Sequence, residues 1–113
     1  MALWSVYVVR TRDGALYTGI STDVARRVGE HAEGRGAKAL RGRGPLELVF
    51  RRRIGAVGLA LRVERRLKRL SRLEKEDVVR RAPTRARLLA RLALEDRAGA
   101  PTAVPLRRRR RSE

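Results

Sequence analysis

The stretch SVYVVRTRDGALYTG, residues 5–19, contains two short apolar runs joined by Arg12-Asp13-Gly14, and it holds both tyrosines of the chain. The runs 4–10 and 15–21 are β-branched and aromatic and read as a hairpin around that turn signal. In an antiparallel pair the numbers of facing residues have a constant sum. A two-residue loop, Asp13-Gly14, sets the sum at 27 and sends Tyr7 and Tyr17 to opposite faces. A three-residue loop, with Gly14 in the left-handed region, sets it at 26. Tyr7 then faces Gly19, Tyr17 faces Val9, and both hydroxyls share one face. The sequence permits both, so loop parity decides whether the hairpin is only scaffold or also a site. In the second case Gly19 leaves a gap opposite Tyr7 where a ligand backbone can approach.

Working outward, Thr22 and Asp23 offer caps for a helix through about Glu33. Val24, Val28 and Ala32 define its expected buried stripe. At 100° per residue, Arg26 points to water, while Arg27 and His31, one turn apart, lie along the edge of the stripe. That pair is open to two readings, a snorkelling arginine beside a satisfied histidine or a polar site at the core's edge. Residues 34–45, GRGAKALRGRGP, form a flexible cationic loop, and LELVF at 46–50 reads as a third strand running into Arg51, Arg52 and Arg53. Helices follow at 57–69 and 72–81, with Ser71 as a cap between them.

On the first of these helices Val57, Leu59, Ala60, Leu61, Val63 and Leu67 form the apolar arc, and Glu64 projects into it, away from Arg62, Arg65 and Arg66. A carboxylate there needs a partner, because an unpaired buried charge costs several kcal/mol. Lys68 at i+4 is one answer. A hard cation such as Mg²⁺ is the other. After Ala82-Pro83-Thr84 a further helix, about 85–97, sets Leu88, Leu89 and Leu92 on one side and docks on the domain or on a second copy. The elements predict a small α/β sandwich: a short, three-stranded, mainly antiparallel sheet flanked by helices, plus an extra C-terminal helix.

Composition narrows the partner. Lys plus Arg total 29 against 12 acids, a formal net charge of +17, and Lys38, Lys68 and Lys75 are the only lysines. Such a surface favours a polyanion, and arginine forks suit phosphate. The chain has no cysteine, which excludes disulfides, thiolate catalysis and cysteine zinc sites. A single histidine excludes a His-rich metal centre. No apolar run approaches membrane-spanning length, and no secretory signal pattern opens the chain. The expectation is a cytoplasmic protein, compatible with nucleoid association, that binds nucleic acid and no membrane.

Tyrosine hairpin, Arg/His helix and Glu helix, in that order, resemble the GIY-YIG nuclease superfamily, most closely its small stand-alone bacterial members of the UPF0213 type. Ser5-Val6-Tyr7 stands at the first triplet and Tyr17-Thr18-Gly19 at the second. TDVARRVGEH supplies Arg27 and His31, ALRVERRLK supplies Glu64, and the likeness spans about residues 4–80. The resemblance implies a nuclease domain over 1–82; outside it, the residues themselves read as an accessory amphipathic helix over 83–98 and a linker with a disordered Arg-rich tail over 99–113. It also implies metal-assisted hydrolysis of phosphodiesters in nucleic acid; the expectation is weak or structure-selective nicking with little base readout, of DNA more than RNA, by a monomer or weak dimer. Glu64 would then hold Mg²⁺ (or Mn²⁺), and Arg27 would stabilise transition-state charge. Tyr17 would take a proton from, or orient, the attacking water, Tyr7 would position water or phosphate, and His31 would relay a proton or hold Tyr7. Gly19, Arg35, Lys38, Arg41 and Arg43 would meet the nucleic acid. The chain contains no asparagine, and the alternative reading is a DNA- or RNA-binding protein on the same fold without significant turnover.

Overall fold

Three antiparallel strands alternate side chains between two faces, and each face is covered differently. The structure is a computed structural model that describes residues 2–96. The expected linker and Arg-rich tail, and the end of the expected accessory helix, lie outside the described residues. The elements are β1 (Trp4–Arg10), β2 (Leu16–Ser21), α1 (Val24–Ala32), a 3₁₀ turn at Lys38–Leu40, β3 (Glu47–Gly55), α2 (Val57–Arg69), α3 (Arg72–Arg81) and α4 (Arg85–Arg91). Sheet order is β2-β1-β3, with β1 in the centre and both pairs antiparallel.

The hairpin settles the parity question. Tyr7 pairs with Gly19 and Val9 with Tyr17, so the loop has three residues and both tyrosines share a face. Gly14 takes φ +90°, the positive value that lets the odd loop close. The Thr11 N–H donates to Ala15 O at 2.9 Å and the Gly14 N–H to Thr11 O at 2.9 Å.

On one face, Val6 and Val8 of β1 with Phe50 and Ile54 of β3 pack against Leu59, Ala60, Val63 and Leu67 of α2, Val78 of α3, and Leu88, Leu89 and Leu92 around α4. The accessory helix thus docks on its own domain. Arginines fasten the layers. Arg10 forks onto Glu76 at 2.8 and 2.9 Å, joining β1 to α3. Arg85 Nε donates to Ile54 O at 2.7 Å, joining α4 to β3. Ser71 and Glu74 form a reciprocal capping box at the start of α3.

Four expectations need correction. β3, expected over 46–50, runs on through Arg53 to Gly55, because Arg51, Arg52 and Arg53 stay paired with Tyr7, Val6 and Ser5 of β1, and Arg52 also stacks over the Phe50 ring and donates to Ala82 O at 3.2 Å. α4 stops at Arg91 and the chain turns at Ala93, φ +58°. Val57 and Leu61 are exposed, so the apolar arc of α2 is narrower than its sequence implies. On α1, Ala32 is exposed and His31 is buried; the helix is rotated so that the histidine faces the sheet.

Candidate active site

The tyrosine face carries a second, smaller cluster: Tyr7, Val9, Val24 and Leu40, with Tyr17, Val28, Ala37 and Leu46 against it. Two close approaches explain its glycines. A Cβ at Gly19 would stand 2.4 Å from the Tyr7 hydroxyl oxygen, and one at Gly36 would stand 2.0 Å from His31 Nδ1. The expected gap for a ligand backbone is therefore not open: Gly19 is buried, and the ring and hydroxyl of Tyr7 occupy the space opposite it.

Tyr7 is 1% exposed and His31 2%. The Tyr7 hydroxyl meets His31 Nε2 at 2.7 Å, while the Ala37 backbone N–H donates to His31 Nδ1 at 2.9 Å. Together these contacts assign the tautomer. Nδ1 accepts, so in the neutral ring Nε2 carries the proton and donates it to the Tyr7 oxygen. Burial first, then the nearby Arg27 charge, lowers the histidine's pKa and keeps the ring neutral. His31 therefore has no lone pair with which to take Tyr7's proton, and the Tyr7 O–H is left to donate elsewhere.

Burial, reinforced by Tyr17 alongside, pushes the Tyr7 hydroxyl up to about 12, against a smaller opposing pull from Arg27. A phenol held there stays protonated near neutral pH and acts as a donor, not a base. The other four candidate residues bear on this hydroxyl in different ways. His31 is bonded to it, and Tyr17, Arg27 and Glu64 are each near enough to shift its ionisation. Tyr17, half-buried, also meets the His31 ring edge-on with centroids 5.6 Å apart.

The α1 arginines separate as the helix geometry predicts, though less sharply. The Arg26 side chain is 59% exposed and that of Arg27 38%. Glu30 bridges them, accepting from Arg26 at 2.7 Å and from Arg27 at 3.0 Å. The Glu30 role is one the sequence reading missed, although its spacing of three and four residues from the arginines is a visible signal. Gly36 and the Ala37 N–H were also missed, and nothing in the local sequence announces them.

Glu64 is 17% exposed at its side chain and pairs with Lys68 at 3.3 Å. Among the described residues no group of three His, Cys, Asp or Glu side chains is placed to hold a metal. A single hard carboxylate suits a cation that keeps most of its waters and takes its remaining ligands from phosphate, as Mg²⁺ does. The donor set thus fits Mg²⁺ and does not fit zinc, which wants three or four protein ligands.

The residues expected to meet nucleic acid divide. Arg35 pairs with Glu33, and Arg43 holds Asp13 at 2.9 Å. Lys38 and Arg41 have no acid partner among the described residues. Two cations that the sequence reading left out join this face. Arg51 lies opposite Tyr7 and Arg53 opposite Ser5 in the β1–β3 register, and both are exposed. With Ser5, Thr22 and Asp23 they line a shallow hollow beside the start of α1.

Comparison with known proteins follows the same lines. The sequence pattern of the GIY-YIG catalytic domain matches residues 3–77. A UPF0213 protein of Citrobacter koseri is 52% identical over 92 residues, covering 81% of this chain and 92% of the relative. The UPF0213 protein YhbQ of Salmonella typhimurium is 54% identical over 79 residues, 70% of this chain and 79% of the relative. Among solved structures, the solution NMR structure of a UPF0213 protein from Bacillus halodurans is 39% identical, with 82% of this chain and 99% of that one covered, at a TM-score of 0.49.

Proposed function

The chain belongs to the GIY-YIG catalytic-domain family, and from that premise we propose that it is a metal-dependent endonuclease that nicks DNA with little base readout. The observation that supports the reading is the Tyr7 hydroxyl bonded to His31 Nε2 at 2.7 Å with the Tyr17 ring edge-on to the same histidine and Arg27 one turn before it on α1. Hydrolysis of a phosphodiester needs an oriented water, a donor for charge on the phosphate and a stabilised leaving group.

Tyr17, the more open of the two hydroxyls, takes a proton from the attacking water or orients it. Tyr7, held as a donor by His31, points its own proton toward the phosphate or the water. Arg27 faces the charge that develops on the phosphate oxygens; one such donor is worth roughly 10²–10³ in rate. Glu64 would hold Mg²⁺ or Mn²⁺, which when bound supplies Lewis-acid polarisation of a phosphate oxygen and neutralises leaving-group charge. Lys38, Arg41, Arg51 and Arg53 supply phosphate contacts that position the strand without reading bases. The protein acts in the cytoplasm as a monomer or weak dimer.

One observation favours a second reading, binding without turnover. The Glu64–Lys68 ion pair satisfies the carboxylate with no metal. Nicking of supercoiled, branched and flapped DNA, with and without Mg²⁺ or Mn²⁺, separates the two. Tyr17→Phe and Glu64→Ala should each lower metal-dependent nicking by about 10²–10⁴. Metal-dependent cutting that survives both substitutions would refute the site, and a wild type that binds but never cuts establishes the second reading.

A further inference from the structure

Helix α2 carries Glu64 on one flank and a different chemistry on the other. Arg62, Arg65, Arg66 and Arg69 recur at the spacing of one helical stripe, centred about 150° around the helix from Glu64 and extending roughly 10 Å along it. All four are exposed. Arg62, Arg65 and Arg69 have no acid partner among the described residues, in contrast to the cations of α1 and α3, most of which are paired with Asp or Glu. Arg66 NH1 is fixed by Leu92 O at 2.6 Å. The stripe continues with Arg66 into a shallow hollow bordered by Ala93, Leu94 and Glu95, beside α4. It lies on the helix side of the sheet, whereas the tyrosines lie on the other. Nothing in the proposed catalytic reaction uses it.

Four like charges on a single stripe repel one another unless a polyanion answers them. An anionic membrane would do so best with an apolar wedge among the cations. Here the exposed apolar residues of the helix, Val57 and Leu61, sit on the Glu64 flank and not on this one. The apolar residues beside the stripe, Ala93 and Leu94, border a hollow and form no projecting wedge, and guanidinium forks in that setting match a phosphate backbone.

We propose that the outer face of α2 is a second nucleic-acid surface, so that one chain holds a duplex at the tyrosine face and a second duplex segment at Arg62, Arg65 and Arg69. This rests on the reading that nucleic acid is the substrate. It also gives a physical origin for a preference for branched or crossing DNA, since two segments are engaged by one molecule.

The test uses the full chain in a chelator, so that binding is read without cleavage. A bead-bound duplex is loaded with protein and challenged with a second, labelled duplex. Wild type should capture it. Arg62→Ala/Arg65→Ala/Arg69→Ala should still bind the bead-bound duplex but capture the second about tenfold less well, and the salt slope of that second event should fall by about 2.7 for three phosphate contacts. Alanine keeps the helix, and a matching thermal transition checks the fold. Arg62→Lys/Arg65→Lys/Arg69→Lys should restore much of the capture.

Three outcomes overturn the proposal. Wild type captures no second duplex, the alanine variant captures as much as wild type, or the alanine variant loses all duplex binding, which would make this the sole surface and not a second one. Loss of binding to phosphatidylserine vesicles with duplex capture unchanged would replace nucleic acid by a membrane. A protein that captures two duplexes yet never nicks DNA leaves this inference standing and removes only the catalytic reading.

Discussion

The two faces of the central sheet invite comparison, because strand β1 feeds both with alternate residues. Val6 and Val8 point into a cluster of twelve buried apolar residues shared by α2, α3 and α4, whereas Tyr7 and Val9 point into a cluster of four. One face is held by area. The other is too thin for that, and it is ordered by directional contacts on a single buried histidine, with Tyr7 on one nitrogen and the Ala37 N–H on the other. A chain of this size needs one solid core to fold, and once the helices provide it, the opposite face is free to remain polar.

The sharpest way to break that comparison is to remove matched leucines from both sides. Leu67 of α2 and Leu40 of the 3₁₀ turn are each 2% exposed. Leu67→Ala should cost about 2–5 kcal/mol in chemical denaturation. Leu40→Ala should cost less, near the lower end of that range, because its small cluster borders a loop that can settle into the gap. Equal losses would mean that the tyrosine face contributes as a true core and that the division is false.

Next in size is His31→Phe, which keeps the ring volume and deletes both nitrogens. It strands the half-buried Ala37 N–H and leaves the Tyr7 oxygen without its donor, a loss of about 1–3 kcal/mol by denaturation. The same variant should lower nicking through misplacement of Tyr7. A pH–rate profile that keeps its shape while its height falls would mark His31 as a positioning residue. Disappearance of a limb near the histidine range would show instead that it carries a proton.

The helix face was legible in the sequence and the tyrosine face only partly so, and the reason lies in the range of the interactions. Ser71 and Glu74, Leu88 and Leu89, and the limits of α2 and α3 follow from local caps and periodicity. The hairpin left two parities open. Gly14's positive φ and the closure at Thr11 decided between them, and neither has a signature beyond a glycine that suits both loops. The buried stripe expected on α1 ended at Ala32, one residue past the truth. Periodicity fixes such an arc only to within about a residue, and the docking of Gly36 and Ala37 onto His31 sets the final rotation. Arg51 and Arg53 were read as the ragged end of a strand, because their place beside Tyr7 is a matter of register between segments more than forty residues apart. The residue types of the site were visible, then, but their convergence is a long-range result.

A smaller effect checks the apolar face from its local side. Ser71→Ala removes the hydroxyl that accepts from the Glu74 N–H at 3.1 Å and opens the capping box. It should cost about 1 kcal/mol in denaturation, with nicking unchanged. If nicking falls in step with stability, α3 is coupled to the tyrosine face and the two are not independent.

The smallest expected effect, and the one that resolves the faces by pH, is acid titration. His31 is held below its ordinary value by burial and by Arg27, so as pH falls below about 6.5 the unfolded chain takes up the proton before the folded one. Stability tied to the tyrosine face is therefore complete above that pH and is lost as pH falls toward the folded pKa. Glu76 is drawn down to about 2, chiefly by its hydrogen bonds from Arg10. Asp77 is drawn down to about 2 by Arg91 and Arg81. Their contribution to α3 is complete above the ordinary carboxylate range near 4 and is lost as pH falls through about 2. These carboxylates are only half-buried, so salt should shrink the lower window while leaving the upper one, which rests on a buried histidine, nearly intact. Denaturation midpoints followed from about pH 8 to about pH 2 should then show two separate declines, the upper one absent in His31→Phe and the lower one reduced in Glu76→Gln. One merged decline that both variants alter alike would show that the two faces open together, and that the sheet, not either covering layer, is the unit that acid undoes.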